Sequence, residues 1–537
     1  MKKIFMIVSV VFVIAVLILS GCGSDVNSAD NDGYMVSISP TPSQPPGLNE
    51  SQNPQDPQDP QEPQDPQDPQ DPQDPQEPQE PQEPQSQGIE VKVSGVCLYP
   101  DGKPIAGAMI NENLNIITDV NGYFDANVMA YADRENIVSF SKNNFVFDKL
   151  ILTFDKDKNP IYKNKIVGFI PIGIEGVNYR VSTPPITPEN KFTSAMELSP
   201  DGRFLYSASE NQIYRVALDT MHSIVIAGNG IDGDNTDVSG NDAMFKKPSG
   251  MAVSPDGKTM YVTINELNKI KKITNIDIAE TSEDTMVYTV AGKSDGTADN
   301  CPGDLAEFGS LQNLVVSNDG DILYVCDGFN HCIRKISGVK NAVNSSQTWV
   351  STIAGQIGVN GHFDGSGAAS LFSIPRAIVI SKDGNLYVTD SSQSHSDNYG
   401  SLRKITALTP ESNSADVEVM TLAGLDISGE NDYFPVSGYD AKFRFIFGLT
   451  LSKDENTVFI TDGGNNRIKA VKGVKNATNS QQTTVDLIAG SGITGDADGD
   501  GTTAEFYFPI TLILTKNGST MFVVDYNERI RRIVAIE

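Results

Sequence analysis

The sequence predicts an all-β protein whose largest part is a six-bladed β-propeller. An Ala-Gly dipeptide recurs at residues 227, 291, 354, 423 and 489, which defines a unit of 63 to 69 residues. Each unit except the last contains four short strand patterns, the composition of a propeller blade. A Ser-x-Asp-Gly turn, intact in four units and degenerate in two, marks six units. These turns begin at Ser199, Ser254, Ser317, Ser381, Ser452 and Thr515.

The composition excludes some classes of function. The 537 residues carry 40 Lys+Arg against 69 Asp+Glu, a formal net charge of −29 at pH 7. Because affinity for phosphates depends on a basic surface, we expect no nucleic-acid partner. A hydrophobic content of 39% suffices for a core but is too low for a polytopic membrane protein. The 4 histidines leave few candidates for a general base or a metal ligand.

Residues 1–21 are predicted to be a signal peptide. Lys2 and Lys3 precede an apolar run that is too short to span a membrane. The run ends in Leu-Ser-Gly-Cys, which resembles a bacterial lipobox. The resemblance implies that Cys22 is lipidated and that lipid chains hold the mature protein on the extracytoplasmic side of the cell membrane or the outer membrane. The alternative is an uncleaved signal anchor with a chance cysteine.

Residues 22–88 are predicted to be a disordered linker. From Pro54 to Pro84 a proline recurs at every third position, separated by Gln-Asp or Gln-Glu. This period matches the polyproline II helix, and repulsion between the acidic side chains extends it further. At about 3.1 Å per residue, the tract spans roughly 100 Å. We interpret it as a stalk; a docking ligand for a proline-reading domain is the alternative.

Residues 89–172 are predicted to form a small β domain. Alternation from Ile89 indicates a half-buried strand, and Asp101-Gly102 and Asn121-Gly122 indicate hairpin turns. This region resembles a carboxypeptidase-regulatory-like domain. Three sequence segments that are typical of that family occur here in the family's order: V-x-G, D-G-x-P-I-x-G-A and T-D-x-N-G-x-F. The resemblance implies an immunoglobulin-like β-sandwich that has no chemistry of its own and acts as a rigid adaptor.

Residues 173–537 are predicted to be the propeller. The sixth unit has only three strand patterns, and 177–183 resemble the missing fourth strand. We therefore predict that 177–183 complete the last blade and close the ring, which removes an open sheet edge. An aromatic residue ends each long Gly/Asp loop and is predicted to wedge between blades. These aromatics are Phe245, Phe308, Phe372, Phe443 and Phe506.

The units resemble NHL repeats. Residues 324–336 read Tyr-Val-Cys-Asp-Gly-Phe-Asn-His-Cys-Ile-Arg-Lys-Ile, close to the core of that family, and 459–471 are a variant. The first two units depart from it, with Ser209 and Ile264 in place of the aspartate. We interpret the repeated aspartates as turn caps, with a ring of ligands as the alternative. They are Asp327, Asp390, Asp462 and Asp525.

Two metal sites are hypothesised in the loops. Asp496, Asp498 and Asp500 mimic the start of an EF-hand calcium loop, although Tyr507 stands where that loop needs a glutamate. A plain turn is the alternative. His331, His362 and His395 lie in loops of neighbouring units that should open on one face, so they could bind zinc or another transition metal. The alternative is three separate solvated side chains.

The cysteines allow one disulfide. Cys326 and Cys332 flank a short turn between paired strands, so a cross-strand bridge is predicted, with Cys301 as a rival partner. Cys97 is interpreted as a small buried hydrophobic residue. Little dependence on disulfides still fits an exported protein.

We expect a monomeric, envelope-anchored protein that uses its propeller to bind a protein, glycan or small ligand, with no cofactor required. The rival hypothesis is a propeller hydrolase or lyase, lactonase-like, with a metal in the central channel. Such an enzyme needs inward-facing Glu, Asn, Asp or His residues at strand starts. No such set stands out from the repeat pattern, so a role in binding is favoured.

Overall fold

The computed structural model describes residues 89–106, 108–110, 116–130, 136–142, 144–148, 150–154, 160–161, 165–173, 177–184, 195–392, 399–406, 408–424, 429–431 and 433–536. The predicted signal peptide, the lipidation site Cys22 and the stalk lie outside these residues. In the described segments no helix has the length and apolar character needed to cross a membrane.

Six antiparallel sheets form the C-terminal part, and each has four principal strands that we name a to d in order of pairing. Sheet I contains Met196–Leu198, Phe204–Ser209, Gln212–Ala217 and Ser223–Ala227. Sheet II contains Pro248–Val253, Thr259–Ile264, Lys269–Thr274 and Met286–Ala291. Sheet III contains Leu311–Val316, Ile322–Asp327, Cys332–Ser337 and Trp349–Ala354.

The remaining three sheets repeat this order. Sheet IV contains Ile374–Ile380, Leu386–Ser391, Gly400–Thr406 and Glu418–Ala423. Sheet V contains Ile446–Leu451, Thr457–Asp462, Arg467–Lys472 and Thr484–Ala489. Sheet VI contains Pro509–Leu514, Thr520–Asp525 and Ile530–Ile536, and its strand d is Asn178–Ser182.

Two-residue strands and 3-10 turns flank the six sheets. Two-residue strands from the loops pair with strand d of sheets II to VI: Val238–Ser239, Cys301–Pro302, Gly365–Ser366, Val436–Ser437 and Gly499–Asp500. Ser294–Asp295 pairs with Glu307–Phe308 in parallel. Single 3-10 turns are Asn265–Leu267, Ser282–Asp284, Gly328–Asn330, Ser345–Gln347, Gly463–Asn465, Ser480–Gln482 and Gly501–Thr503.

The a strands contact one another in cyclic order, from sheet I through sheet VI and back to sheet I. Strand d of sheet VI pairs antiparallel with Ile530–Ile536, with Asn178 opposite Ile536 and Ser182 opposite Arg532. The prediction that this N-terminal segment completes the last sheet is confirmed. The protein therefore has an all-β, propeller-like fold in which the a strands surround a central channel.

The repeat markers have clear physical roles. In the Ser-x-Asp-Gly turn of sheet III, the Ser317 hydroxyl donates to Asp319 and accepts from the backbone N–H of Ile322. Gly320 closes the turn at φ +82°, a left-handed conformation that glycine adopts without strain. The five loop aromatics are fully buried between sheets, as predicted: Phe245, Phe308, Phe372, Phe443 and Phe506.

A buried ion pair, which we call the latch, explains the basic residue of strand c. In sheet III, Arg334 contacts Asp327 at 2.9 Å and Asp299 at 3.0 Å and lies over the ring of Phe308. Asp327 also accepts from the backbone N–H of Gly309. The corresponding latches are Lys271 with Asp234, Arg403 with Asp364 and Asp390, Lys469 with Glu430 and Asp462, and Arg531 with Asp498 and Asp525.

The repeated aspartates are therefore held within their own sheets. Asp390, Asp462 and Asp525 each accept from a backbone N–H of the loop before strand a, as Asp327 does. This supports their interpretation as turn caps. The second basic residue of strand c joins adjacent sheets, since Lys272 and Lys404 donate to backbone carbonyls in the loop of the next sheet.

The small β domain has three sheets among its described residues. The first pairs Tyr123–Ala130, Ile89–Leu98, Lys165–Phe169 and Val146–Phe147 in that order. The second pairs Ile116–Ile117, Met109–Ile110 and Phe140–Ser141, and the third pairs Asn136–Val138, Leu150–Phe154 and Pro160–Ile161. In the predicted turn, Asp119 accepts from the backbone N–H groups of Asn121 and Tyr123.

This small domain packs against sheet VI. The Arg180 side chain, in strand d, contacts Asp101 of the small domain at 2.6 Å and lies over the ring of Tyr99. Ile170 forms a backbone bridge with Ala535 of strand c. The ion pair is largely buried where the small domain meets the sheet, with the Arg180 side chain 14% exposed and the Asp101 side chain 5% exposed.

Candidate functional site

The predicted disulfide is absent, because Cys326 and Cys332 are both free thiols. The register of sheet III explains the error. Cys326 lies opposite Ile333, whereas Cys332 lies opposite Asp327, so the two side chains occupy alternate positions on opposite faces of the sheet. Cys301, the rival partner, is also free, and burial raises the pKa of both sheet III thiols well above the usual range.

The predicted histidine site is not assembled by the described residues. His331 is buried, and its Nδ1 contacts the backbone carbonyl of Ser373. Nε2 of His362 lies 3.0 Å from the Thr421 hydroxyl, within sheet IV. His395 lies outside the described residues. Among the residues that the structure does describe, no group of three His, Cys, Asp or Glu side chains is arranged to hold a metal ion.

The acidic loop at 496–500 contributes to a latch. Asp498 accepts from Arg531 at 2.9 Å and from the backbone N–H and hydroxyl of Thr183. Asp496 instead pairs with Arg529 at 2.9 Å. The predicted grouping of these carboxylates with Asp500 around calcium is therefore not formed, because arginine side chains already occupy two of them.

The central channel contains a cavity of 560 Å³ lined by the a strands of all six sheets. At the end nearest the Ser-x-Asp-Gly turns it is lined by Lys382, Lys453 and Lys516, at equivalent positions of sheets IV to VI. Glu197 of sheet I also lines it. Burial raises the pKa of Glu197, and Lys516 acts against that shift.

The opposite end of the channel is built by β-bulges. Strand a is irregular near its start in sheets II to VI, and each bulge contains at least one half-buried residue. Bulges re-aim side chains and are common beside functional sites. These equivalent residues differ in every sheet: Ser249, Gln312, Arg376, Phe447 and Ile510.

Threonine hydroxyls hold three of these bulges in place. Thr263 donates to the carbonyl of Gln312 at 2.6 Å, and Thr389 to that of Phe447 at 2.8 Å. Thr461 donates to the carbonyl of Ile510 at 3.2 Å. Each bond joins strand b of one sheet to the bulge of the next. The equivalent position facing the Arg376 bulge is Cys326, at the same place in sheet III.

Aromatic side chains gather at this end, around sheets V and VI. The ring of Phe447 lies 5.3 Å from that of Phe508, which contacts Phe445 at 6.1 Å and Tyr526 at 6.3 Å. Tyr507 packs edge-on against Tyr526 at 5.7 Å. We call these five residues together with Arg376 the aromatic mouth. Tyr507 is 39% exposed and Tyr526 48% exposed, so the cluster presents ring surface to solvent.

The backbone of the mouth is unusual at two aromatics. Phe445 and Phe508 adopt φ 52°, a left-handed conformation that bulky residues rarely take. Hydrogen bonds hold them there: Gly463 donates to the carbonyl of Phe445, and Asn466 accepts from the N–H of Phe508 at 2.9 Å. Lys247 has φ 53° at the equivalent position of sheet II, so this conformation belongs to the repeat and does not by itself mark the mouth.

Arg376 connects the bulges to this cluster. Its guanidinium lies 4.5 Å from the centre of the Phe447 ring, in a cation–π geometry. Burial lowers its pKa to about 10, with Asp390 acting against the shift, so the side chain is still charged at neutral pH. In the part of the chain that the structure describes, Arg376 has no hydrogen bond to its Nε and no carboxylate within ion-pair distance.

The sequence contained a signal for the mouth that the repeat pattern alone did not reveal. Alignment of the units on their buried phenylalanines places Arg376 opposite Ser249, Gln312, Phe447 and Ile510. A position that varies completely within an otherwise regular repeat is not needed for the fold. Contact between the mouth aromatics, however, depends on how the sheets meet, which no local pattern records.

Comparison with known proteins gives limited similarity. No protein-family model matches the sequence. Protein SUPPRESSOR OF QUENCHING 1, chloroplastic, of Arabidopsis thaliana is 27% identical over 203 residues. The aligned segment is 36% of this chain and 17% of the plant protein, so the chain spans about a sixth of that protein's length.

Two solved structures are also similar. A Bacteroides thetaiotaomicron protein of unknown function has a TM-score of 0.46 at 12% identity, over 84% of this chain and 95% of its own. Hydrazine synthase of Kuenenia stuttgartiensis has a TM-score of 0.40 at 13% identity, over 68% of this chain and 98% of its own.

Proposed function

We propose that the chain is a lipid-anchored, extracytoplasmic binding protein that presents a six-bladed, NHL-type propeller on a proline-rich stalk. The Leu-Ser-Gly-Cys sequence ending at Cys22 supports the anchor, and the period-three proline tract supports the stalk. Six four-stranded sheets in cyclic contact support the count of six blades.

The small β domain is proposed to be an adaptor of the immunoglobulin-like type. The contact of Arg180 with Asp101 and the bridge of Ile170 with Ala535 join it to the last sheet. As an adaptor, the small domain would connect the linker to the propeller along the chain.

The binding role rests on one observation, the contiguous aromatic cluster with exposed rings at one end of the channel. Aromatic side chains and arginine are enriched at binding hot spots because they offer large contact area at low entropic cost. Here five rings and a guanidinium from three adjacent sheets form one surface. We infer that this mouth is where the propeller binds its ligand.

A binding comparison tests this proposal. Full-length protein carrying Cys22→Ser, which should be soluble, is compared with the same protein carrying Phe447→Ala, Phe508→Ala and Tyr526→Ala. The control carries Trp349→Ala, since Trp349 is 49% exposed but lies outside the mouth. We expect envelope components retained by the parent and the control to be lost by the mouth variant. Equal retention by all three proteins would contradict a binding role for the mouth.

The anchor has its own test. Cys22→Ser should move the protein from the membrane pellet to the soluble fraction, because the lipid is its proposed attachment. Labelling with a fatty-acid analogue should mark the wild type and leave the variant unmarked. A variant that still pellets after a high-salt wash would show that another segment anchors the chain.

A further inference from the structure

Arg376 differs from the other basic side chains buried in the sheets. The five latch cations contact carboxylates, at distances such as 2.9 Å for Arg334 with Asp327 and 2.7 Å for Arg403 with Asp364. Lys272 and Lys404 instead donate to backbone carbonyls. Among the described residues, the Arg376 guanidinium lies over the face of Phe447, its Nε has no hydrogen bond and no carboxylate is within ion-pair distance. A partly buried cation that contacts no carboxylate is unfavourable, because the charge of Asp390, beyond ion-pair distance, offsets only part of its lost hydration.

We propose that Arg376 binds the carboxylate of a ligand whose planar ring or apolar body stacks on the aromatic mouth. This inference rests on the proposed function of the mouth and specifies its ligand. A guanidinium that stacks on an aromatic face keeps its N–H edge available, and that edge matches the two oxygens of a carboxylate. The ligand carboxylate would accept hydrogen bonds from Arg376 that no carboxylate of the described residues accepts.

The surroundings favour a ring-bearing monoanion over a phosphate or a polyanion. Phe447 lies under the guanidinium, and Phe508 and Tyr526 continue the ring surface beside it. An inorganic oxyanion would gain nothing from these rings. The formal net charge of −29 disfavours highly charged anions, whereas a single carboxylate has less repulsion to overcome.

The polar bulge residues lie on the other side of Arg376. Gln312 and Ser249 hold equivalent positions in sheets III and II, and the Gln312 amide donates to Ser310 at 2.9 Å. The aromatic side chains lie toward sheets V and VI. A ligand held at Arg376 would therefore place its ring toward sheet VI and any hydroxyl or amide groups toward sheet II.

Phenylacetate is a suitable probe, with phenylacetamide as its neutral counterpart and acetate as the form without a ring. Binding to the full chain with Cys22→Ser is followed by ligand-observed NMR titration. We expect millimolar or tighter affinity for phenylacetate, and at least tenfold weaker binding of both phenylacetamide and acetate. Phenylacetate that binds no better than phenylacetamide would overturn the proposal, and so would equal displacement by inorganic phosphate.

Variants assign the effect to one side chain. Arg376→Gln should weaken phenylacetate binding at least tenfold and leave phenylacetamide unchanged, whereas Arg376→Lys should retain part of the preference for the anion. Arg444→Gln is the matched control, because Arg444 is an exposed arginine in the loop before strand a of sheet V. Unchanged phenylacetate binding by Arg376→Gln would overturn the assignment.

The two proposals can fail separately. If the mouth variant loses its envelope components while Arg376→Gln retains them, binding at the mouth stands and a carboxylate ligand is wrong. If the mouth variant retains its envelope components, the proposed function itself is wrong. A melting temperature of Arg376→Gln within a few degrees of the parent shows that lost binding does not reflect unfolding.

Discussion

Sheet IV contains two arginines whose surroundings are opposite in kind. In strand c, Arg403 contacts Asp364 at 2.7 Å and donates to the carbonyls of Leu371 and Phe363. In strand a, Arg376 has an aromatic ring below it and no carboxylate in contact among the described residues. The latch recurs in five sheets, with Arg or Lys as its cation and Asp or Glu as its loop acid. The bulge holds a different residue in each of them.

The contrast between Arg403 and Arg376 distinguishes two kinds of sequence position in a repeat. A position that recurs in five of the six sheets is needed by the fold, and the latch shows why. It joins strand c to the preceding loop in sheets II to VI and also to strand b in sheets III to VI. A position that differs in every unit is free of that demand. Chemical groups that the fold does not need, such as a cation that contacts no carboxylate, are tolerated there and become available to a ligand.

The largest expected effect comes from breaking a latch. Asp327→Ala removes one carboxylate partner from Arg334, which is completely buried. Removing one partner of a buried ion pair costs roughly 3–5 kcal/mol of unfolding free energy. Because Asp299 still contacts Arg334 at 3.0 Å, we expect a loss at the lower end of that range. Thermal and urea unfolding, followed by circular dichroism, measure the loss. Asp304→Ala, in the exposed loop of the same sheet, should change the midpoint little, and similar losses for both variants would show that the latch is not a stabilising element.

The repeat, the strand order within each sheet and the closing strand could be predicted from sequence. Each depends on local alternation and on turn chemistry, which are visible as residue spacing. The role of Asp327 was also predictable, because a motif that recurs within one chain is needed by the fold. These features follow from short-range rules that act in the same way in each unit.

Other features could not be predicted, because they depend on which way a side chain faces or on how sheets meet. Spacing suggested a bridge between Cys326 and Cys332, but a shift of one residue in register places them on opposite faces. Asp498 resembled a calcium ligand, but its partner Arg531 lies 33 residues away in the sequence. The contact of Phe447 with Phe508 crosses two units and likewise has no local signal.

A second prediction concerns the latch of sheet IV, which is looser than that of sheet III. Asp390 lies 3.6 Å from Arg403, whereas Asp327 lies 2.9 Å from Arg334. Burial raises the pKa of Asp390 to about 7, against the opposing effect of Arg403. The folded protein therefore holds a proton here that the unfolded chain releases near pH 4, and the stability from this group is present below pH 4 and lost as pH rises to 7.

Asp390→Asn should remove this dependence. Between pH 4 and 7, the wild type should lose stability relative to the variant with a slope approaching one proton, roughly 1.4 kcal/mol per pH unit. The difference between the two unfolding curves isolates this site from the other acidic residues. Parallel pH profiles for wild type and variant would mean that Asp390 is ionised throughout the range.

A smaller effect on stability is expected at the bulge of sheet IV. This bulge lacks the threonine hydroxyl that donates to the equivalent bulges of sheets III, V and VI. Cys326 occupies the position from which Thr263, Thr389 and Thr461 donate to the bulge carbonyl of the next sheet. Cys326→Thr should add the missing bond to the Arg376 carbonyl and raise the unfolding free energy by roughly 1 kcal/mol. Cys326→Val, which has the same shape without a hydroxyl, is the control. If Cys326→Thr and Cys326→Val unfold at the same midpoint, the added hydroxyl makes no such bond.

The smallest expected effect on stability is at Arg376, and it tests the contrast within sheet IV most directly. Arg403→Gln removes a cation that Asp364 and two carbonyls need, so its loss should approach that of Asp327→Ala. Arg376→Gln removes a cation that no protein carboxylate contacts, and it also relieves the cost of holding that charge away from water. We expect its unfolding free energy to lie within roughly 1 kcal/mol of the parent, with a gain as the expected sign. Urea unfolding of the two variants side by side gives both values. A loss at Arg376 as large as that at Arg403 would mean that the fold depends on both arginines, and Arg376 would then be a structural residue and not the proposed ligand contact.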